Sequence, residues 1–60
     1  MTYSNRLMMM DFAARAVSEI PGAKYDEGIQ KAILREYGLF LDEMPQSEVQ
    51  EFRNMLRKED

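Results

Sequence analysis

Two pairs of adjacent carboxylates are the side chains of this 60-residue chain best placed to do chemistry. The pairs are Asp26-Glu27 and Asp42-Glu43. Two carboxylates facing each other across a cleft can hydrolyse a glycosidic bond, and carboxylates joined by further oxygen ligands can bind Mg²⁺ or Ca²⁺. Adjacent acids are, however, typical of the first turn of a helix, and no segment has the ligand spacing of a calcium loop. We therefore predict neither a catalytic pair nor a metal site.

The residue types needed for other kinds of catalysis are missing. The sequence has no His and no Cys, although these side chains supply most general bases, thiolate nucleophiles and structural zinc ligands. Its glycines are isolated from one another, so it has no glycine-rich phosphate-binding loop. The sequence predicts a protein that is not an enzyme and that binds no cofactor.

The run Met8-Met9-Met10 has two chemical uses. Thioether sulfurs bind copper(I), but methionine more often fills gaps in a core or lines an adaptable binding surface. Three consecutive residues of a helix cannot all face the same core. We expect at least one of them to be exposed or in an interface, which makes Met8 and Met9 candidate protein-binding residues.

The apolar run Leu39-Phe40-Leu41, followed by the acidic pair Asp42-Glu43, is a second candidate interaction site. Three large apolar residues in a connection do not easily all point inward, and exposed apolar patches often mark interaction sites. In one interpretation Leu39 and Phe40 anchor a partner, and Asp42 and Glu43 form an acidic rim. In the other, Leu39 caps the preceding helix while Phe40 and Leu41 complete the core. The sequence leaves both interpretations open.

A first helix is predicted over roughly residues 4–20, because apolar residues recur at helical spacing and strong helix formers fill the gaps. Ser4 or Asn5 can cap its first amides. Pro21-Gly22 ends it, since the residue before proline avoids helical geometry and glycine accepts a left-handed turn. The predicted core stripe of this helix consists of Met9, Ala13, Ala16 and Ile20, widened by Phe12 and Val17.

A second helix is predicted over roughly residues 26–38, with Asp26 as its N-cap and Gly38 as the left-handed residue that ends it. Continuation of the apolar stripe beyond Gly38 is the alternative, and it would carry the helix to Met44. The predicted core stripe of this helix consists of Ile29, Ile33 and Tyr37, with Ala32 beside it to permit close packing.

A third helix is predicted over roughly residues 45–58, where Ser47 and Gln50 have the spacing of a capping box. An earlier start at Asp42 or Met44, with Pro45 in the first turn, is the alternative. Its predicted core stripe consists of Val49, Phe52 and Leu56, with Met55 beside it. No segment keeps the alternation of a half-buried strand. We therefore predict an all-α fold, a single domain over residues 1–60 in a compact three-helix arrangement.

The composition favours a protein that works by binding another protein. Its 45% hydrophobic and 32% charged residues are typical of a folded domain. A net charge of −3 gives no long-range attraction for nucleic acid or an anionic membrane, and no stretch reaches the roughly 20 apolar residues of a membrane span. We expect a cytoplasmic, non-catalytic adaptor or inhibitor that docks on a larger protein, a type common among phage and mobile-element accessory proteins.

Two other functions remain open. A core of this size rarely supplies more than about 3–5 kcal/mol, which favours a homo-oligomeric assembly subunit such as a homodimer. The other alternative is a dimeric helix-turn-helix DNA-binding regulator. Its phosphate contacts would be Lys31, Arg35, Arg53, Arg57 and Lys58. Acidic residues near the start of the third helix disfavour nucleic acid, because that end of a recognition helix enters the groove.

Overall fold

Three α-helices make up most of this protein, for which a computed structural model describes residues 2–59, with side chains from residue 5 onward. The helices are α1 (Thr2–Ser18), α2 (Glu27–Glu36) and α3 (Gln46–Lys58), joined by short 3-10 turns at Ala23–Tyr25 and Leu41–Glu43. There is no strand between residues 2 and 59. The predicted all-α three-helix fold is confirmed.

Helix α1 begins and ends two residues earlier than predicted. Ser4 and Asn5 lie inside it, so the prediction that one of them caps it is wrong. Pro21-Gly22 closes the end of the segment as predicted, because Pro21 has no N–H to donate and Gly22 adopts the left-handed φ of 80°. The chain then enters the Ala23–Tyr25 turn.

Helix α2 has both of its predicted caps. Asp26 Oδ1 accepts a hydrogen bond of 3.1 Å from the backbone N–H three residues further on. At the other end, the Leu39 N–H donates to the Leu34 carbonyl at 2.9 Å and the Gly38 N–H donates to the Arg35 carbonyl at 3.0 Å. With Gly38 at a φ of 79°, these two bonds form a Schellman motif. The end at Gly38 is confirmed, and the alternative of a longer helix is wrong.

Helix α3 begins directly after Pro45, which occupies the N-cap position with an extended backbone. The Glu48 and Val49 N–H groups donate to the Pro45 carbonyl at 2.9 and 3.1 Å. Ser47 therefore lies inside the first turn, and the capping box predicted for Ser47 and Gln50 is wrong. The helix ends where the sequence predicted.

The core draws residues from all three helices and from the connections between them. Its buried apolar residues are Met10, Ala13, Ala14, Val17, Ala23, Leu34, Leu39, Met44, Val49, Phe52 and Leu56. The stripe predicted for α3 is confirmed, with Met55 packed beside it. In α2 the buried apolar residue is Leu34, while the predicted Ile29, Ile33 and Tyr37 are only partly buried against the core. Ala32 is exposed, so its predicted packing role is wrong.

The stripe predicted for α1 is the main error. Ala13 and Val17 are buried as predicted, but Met9, Phe12 and Ile20 are 37%, 40% and 41% exposed. Apolar residues lie on both sides of this helix, so its periodicity alone does not indicate which side packs inward. The packing against α2 and α3 selects the side with the small alanines, which allow the helices to approach closely.

Candidate partner-binding surfaces

The side of α1 that faces away from the core carries a row of large apolar side chains, which we call the outer face. It consists of Met8, Met9 and Phe12 of α1, with the partly buried Ala16 beside them, and of Ile20, which lies in the turn after the helix ends at Ser18. The large side chains are 37–47% exposed. The prediction that at least one of the three consecutive methionines is exposed is confirmed, because only Met10 is fully buried.

Paired charges border the outer face. Arg15 Nη2 lies 3.2 Å from Asp11 Oδ2, one helical turn away, and Arg15 Nε lies 3.8 Å from Glu59 Oε2 near the end of α3. Asp11 and Arg15 each lie three residues beyond an outer-face residue, namely Met8 and Phe12, so they are its neighbours on the helix surface. Arg15 is therefore paired with two carboxylates, and these three groups together carry a net charge of −1.

A two-pronged ion pair joins the first half of α1 to the start of α3. Arg6 Nε donates to Glu48 Oε2 at 2.8 Å, and Arg6 Nη2 donates to Glu48 Oε1 at 2.7 Å. These hydrogen bonds are the main reason why the pKa of Glu48 is lowered and the pKa of Arg6 is raised, against a smaller opposing effect of burial. The pair adds a polar contact at the edge of the apolar packing between these two helices.

The second candidate site is divided between core and surface. Leu39 is only 2% exposed, so it does not belong to an accessible surface, and its predicted role as a protein-binding residue is corrected to one in the core. Phe40 is 49% exposed, and Leu41 is partly buried against the core. Asp42 and Glu43 are exposed, and Asp42 Oδ2 lies 2.6 Å from Lys31 Nζ of α2. Phe40 is therefore the apolar residue that this connection presents to solvent.

A groove of about 590 Å³ lies where the Ala23–Tyr25 turn and the start of α2 meet the second half of α3. Its lining residues are Lys24, Tyr25, Glu27, Gln30, Gln50, Arg53, Leu56 and Arg57. Tyr25 is 85% exposed, and Lys24 Nζ lies 5.6 Å from the centre of its ring. The sequence had indicated Arg53 and Arg57 only as phosphate contacts, and no local pattern indicated that they would share a groove with Tyr25.

Gln30 forms part of the floor of this groove and is the one buried polar side chain among the described residues. Its Nε2 donates to the Ala23 carbonyl at 3.0 Å and so ties the Ala23–Tyr25 turn to α2. No described residue donates a hydrogen bond to Gln30 Oε1. Because none of the fully buried side-chain N and O atoms described lacks a partner, Oε1 is not fully buried.

Residues 2–59 contain no group of three or more acidic side chains close enough to hold a metal ion. Within the same residues, every helix is too short or too polar to cross a bilayer. Comparison with protein families, with curated proteins and with solved structures found no match.

Proposed function

We propose that this protein is a non-catalytic protein-binding module that inserts the outer face of α1 into an apolar cleft of a larger protein. The observation that carries the proposal is the group of four large apolar side chains, 37–47% exposed. Three of them lie on α1, whose other side forms the core, and the fourth lies in the turn that follows. Isolated exposed apolar residues are ordinary on a protein surface, whereas contiguous ones are typical of interaction sites.

The spacing of the outer face suits recognition of a helix by a groove. Met8 and Phe12 of α1 are four residues apart, as are Phe12 and Ala16. Side chains at such spacing project from one side of a helix and serve as anchors in complexes where an amphipathic helix lies in a hydrophobic groove. The face is a convex row of anchors, so we expect the concave surface to belong to the partner.

The extent of the outer face favours a larger protein over a second copy of this chain. Four large side chains, each less than half exposed, present on the order of 350 Å² of surface, since a large side chain buries about 200 Å². A stable interface needs about 800 Å² per partner. Two copies that paired only through this face would fall short of that area. A cleft that encloses α1 also covers the polar residues along its borders.

Two phenylalanines of similar exposure provide a matched test. Phe12→Ser removes the central anchor of the outer face, and Phe40→Ser removes an equally exposed ring from the other candidate site. Protein captured from source cells by the unmodified chain is identified, purified and titrated against both variants. We expect Phe12→Ser to weaken binding at least tenfold, because burying such a side chain contributes about 1.5–3 kcal/mol. Phe40→Ser should bind like the unmodified chain.

The same pair of variants can overturn the assignment. A partner that is lost with Phe40→Ser and retained with Phe12→Ser would move the binding site to the connection before α3. Circular dichroism of both variants separates a lost surface from a lost fold, since each ring lies outside the set of fully buried side chains.

A further inference from the structure

We propose that the groove between the Ala23–Tyr25 turn and α3 is a second binding site, which takes an acidic peptide segment of a protein. A carboxylate of the peptide would be held by Arg53 and Arg57, and a backbone N–H of the peptide would donate to Gln30 Oε1. This site shares no residue with the outer face of α1, so it does not depend on the function proposed above.

The cationic side of the groove is formed by Arg53 and Arg57. Arg53 and Arg57 are four residues apart on α3, so their side chains are neighbours along one side of the helix. Arg53 has no ion pair with the described residues, and Arg57 Nη2 donates to Asn54 Oδ1, which is neutral. The guanidinium fork matches the geometry of a carboxylate. Glu27 is the one acid among the described lining residues, so cations are in excess here although the whole chain has a net charge of −3.

The floor of the groove includes Gln30, which offers a hydrogen-bond acceptor. Gln30 is 9% exposed and its amide is oriented by the hydrogen bond from Nε2 to the Ala23 carbonyl. Gln30 lines the groove, and its Oε1 is an acceptor that no described residue uses. A peptide that contains Asp or Glu offers both a backbone N–H and a carboxylate. These two groups complement an unused acceptor that lies beside two guanidinium groups.

The apolar lining completes the site. The ring of Tyr25 is 85% exposed beside the groove, and the mostly buried Leu56 contributes apolar surface to it. Tyrosine and arginine are the residue types most often found as energetic anchors in protein interfaces. A volume of about 590 Å³ is in the range of pockets that bind small ligands or short segments.

The distribution of charge favours a peptide over nucleic acid. A protein that binds a nucleic acid strand typically neutralises about 6–10 phosphates, and it needs cations along the whole path of the strand. Here Arg53 and Arg57 lie at one groove, and the net charge of −3 repels the rest of a polyanion. A peptide with one or two carboxylates meets the cations without that repulsion.

The test is an NMR titration of the full-length, ¹⁵N-labelled protein with an acetylated, amidated hexapeptide of alternating Glu and Leu. We expect the backbone amide signals of residues 23–25 and 53–57 to shift, with a Kd below about 1 mM that rises with added salt. A control hexapeptide with Gln in place of Glu should bind at least about fivefold more weakly, because it lacks the charge-assisted hydrogen bonds.

Matched variants assign the contacts. Arg53→Gln and Arg57→Gln should each weaken binding of the Glu peptide about threefold to tenfold, the range for one partly exposed ion pair. Arg35→Gln removes the same charge from an exposed position of α2 outside the groove, and it should leave the affinity unchanged.

Four results would overturn this proposal. They are the absence of binding at millimolar peptide, equal binding of the Gln peptide, equal weakening by Arg35→Gln, and tighter binding of a single-stranded oligothymidine at the same groove. The last of these would assign the groove to nucleic acid.

Discussion

The three phenylalanines of this chain occupy different environments, and the differences define their roles. Phe52 is 1% exposed at the centre of the core, whereas Phe12 and Phe40 are 40% and 49% exposed on two separate surfaces. The free energy that burial contributes scales with the apolar area removed from water. Phe52 is therefore a stability residue, and the two others are available for contacts with a partner.

The first prediction compares Phe52→Ala with Phe40→Ala. Phe52→Ala should lower the free energy of unfolding by about 3–5 kcal/mol, because it creates a cavity in the core. Phe40→Ala should lower it by only about 1 kcal/mol, since half of that ring is already in water. Urea unfolding followed by circular dichroism measures both changes.

A core loss of this size approaches the whole stability of a domain of 60 residues, so Phe52→Leu is the companion variant. Its free energy of unfolding should lie between those of the parent and Phe52→Ala. If Phe52→Ala unfolds at the same urea concentration as the parent, the core assignment is wrong. If Phe40→Ala is as destabilising as Phe52→Ala, Phe40 belongs to the core.

At the scale of the elements, α1 differs from the other two helices because apolar residues occur on both of its sides. The inner side, which includes Met10, Ala14 and Val17, is fully buried, and the outer side includes Met8 and Phe12. The ion pair between Arg6 and Glu48 holds this helix on α3. Exposure of the outer side is thus a consequence of helix orientation.

The second prediction uses the pH dependence of that ion pair. The pKa of Glu48 is lowered in the folded protein, so the pair stabilises the fold above the ordinary pKa of a glutamate. That contribution is lost as the pH falls through the lowered pKa, because the carboxylate is then protonated in both states. Arg6 is 43% exposed, so the contribution at neutral pH is expected to be only about 0.2–1 kcal/mol.

Glu48→Gln should therefore be less stable than the parent at pH 7 and nearly as stable as the parent at about pH 2, where carboxylates are protonated. Glu51→Gln is the matched control, because Glu51 is exposed on the same helix without an ion pair to the described residues. A stability difference for Glu48→Gln that persists unchanged at low pH would show that the ion pair is not its cause.

At the scale of the whole molecule, the described residues present two surfaces with different chemistry. The outer face of α1 is apolar and has ion-paired charges along its border, and the groove lined by Arg53 and Arg57 is cationic. No residue belongs to both. A protein this small gains specificity when separate surfaces recognise different features, as apolar anchors and polar contacts do in larger interfaces.

The third prediction concerns self-association. We expect the protein to sediment as a monomer at about 50 μM, because the outer face offers less than half of the area that a standard interface buries on each partner. Sedimentation equilibrium measures this directly. A dimer at that concentration that dissociates in Phe12→Ser would make a second copy the occupant of the outer face.

Features that depend on neighbouring residues could be predicted from the sequence alone. Asp26 caps α2 and Gly38 ends it, because a cap needs only a side chain or a left-handed residue within one turn. The α3 stripe was also predicted correctly, since its apolar residues lie on one side and its charged residues elsewhere.

Features that depend on packing between distant segments could not be predicted from local patterns and became visible in the folded structure. The sequence does not indicate which side of α1 is buried, because both sides are apolar and the choice depends on how α2 and α3 fit against it. Leu39 and Phe40 are adjacent in sequence, but the Schellman motif directs Leu39 into the core and leaves Phe40 exposed. The groove arises when residues 24–30 meet residues 50–57, and no local rule encodes a contact between segments that far apart in the chain.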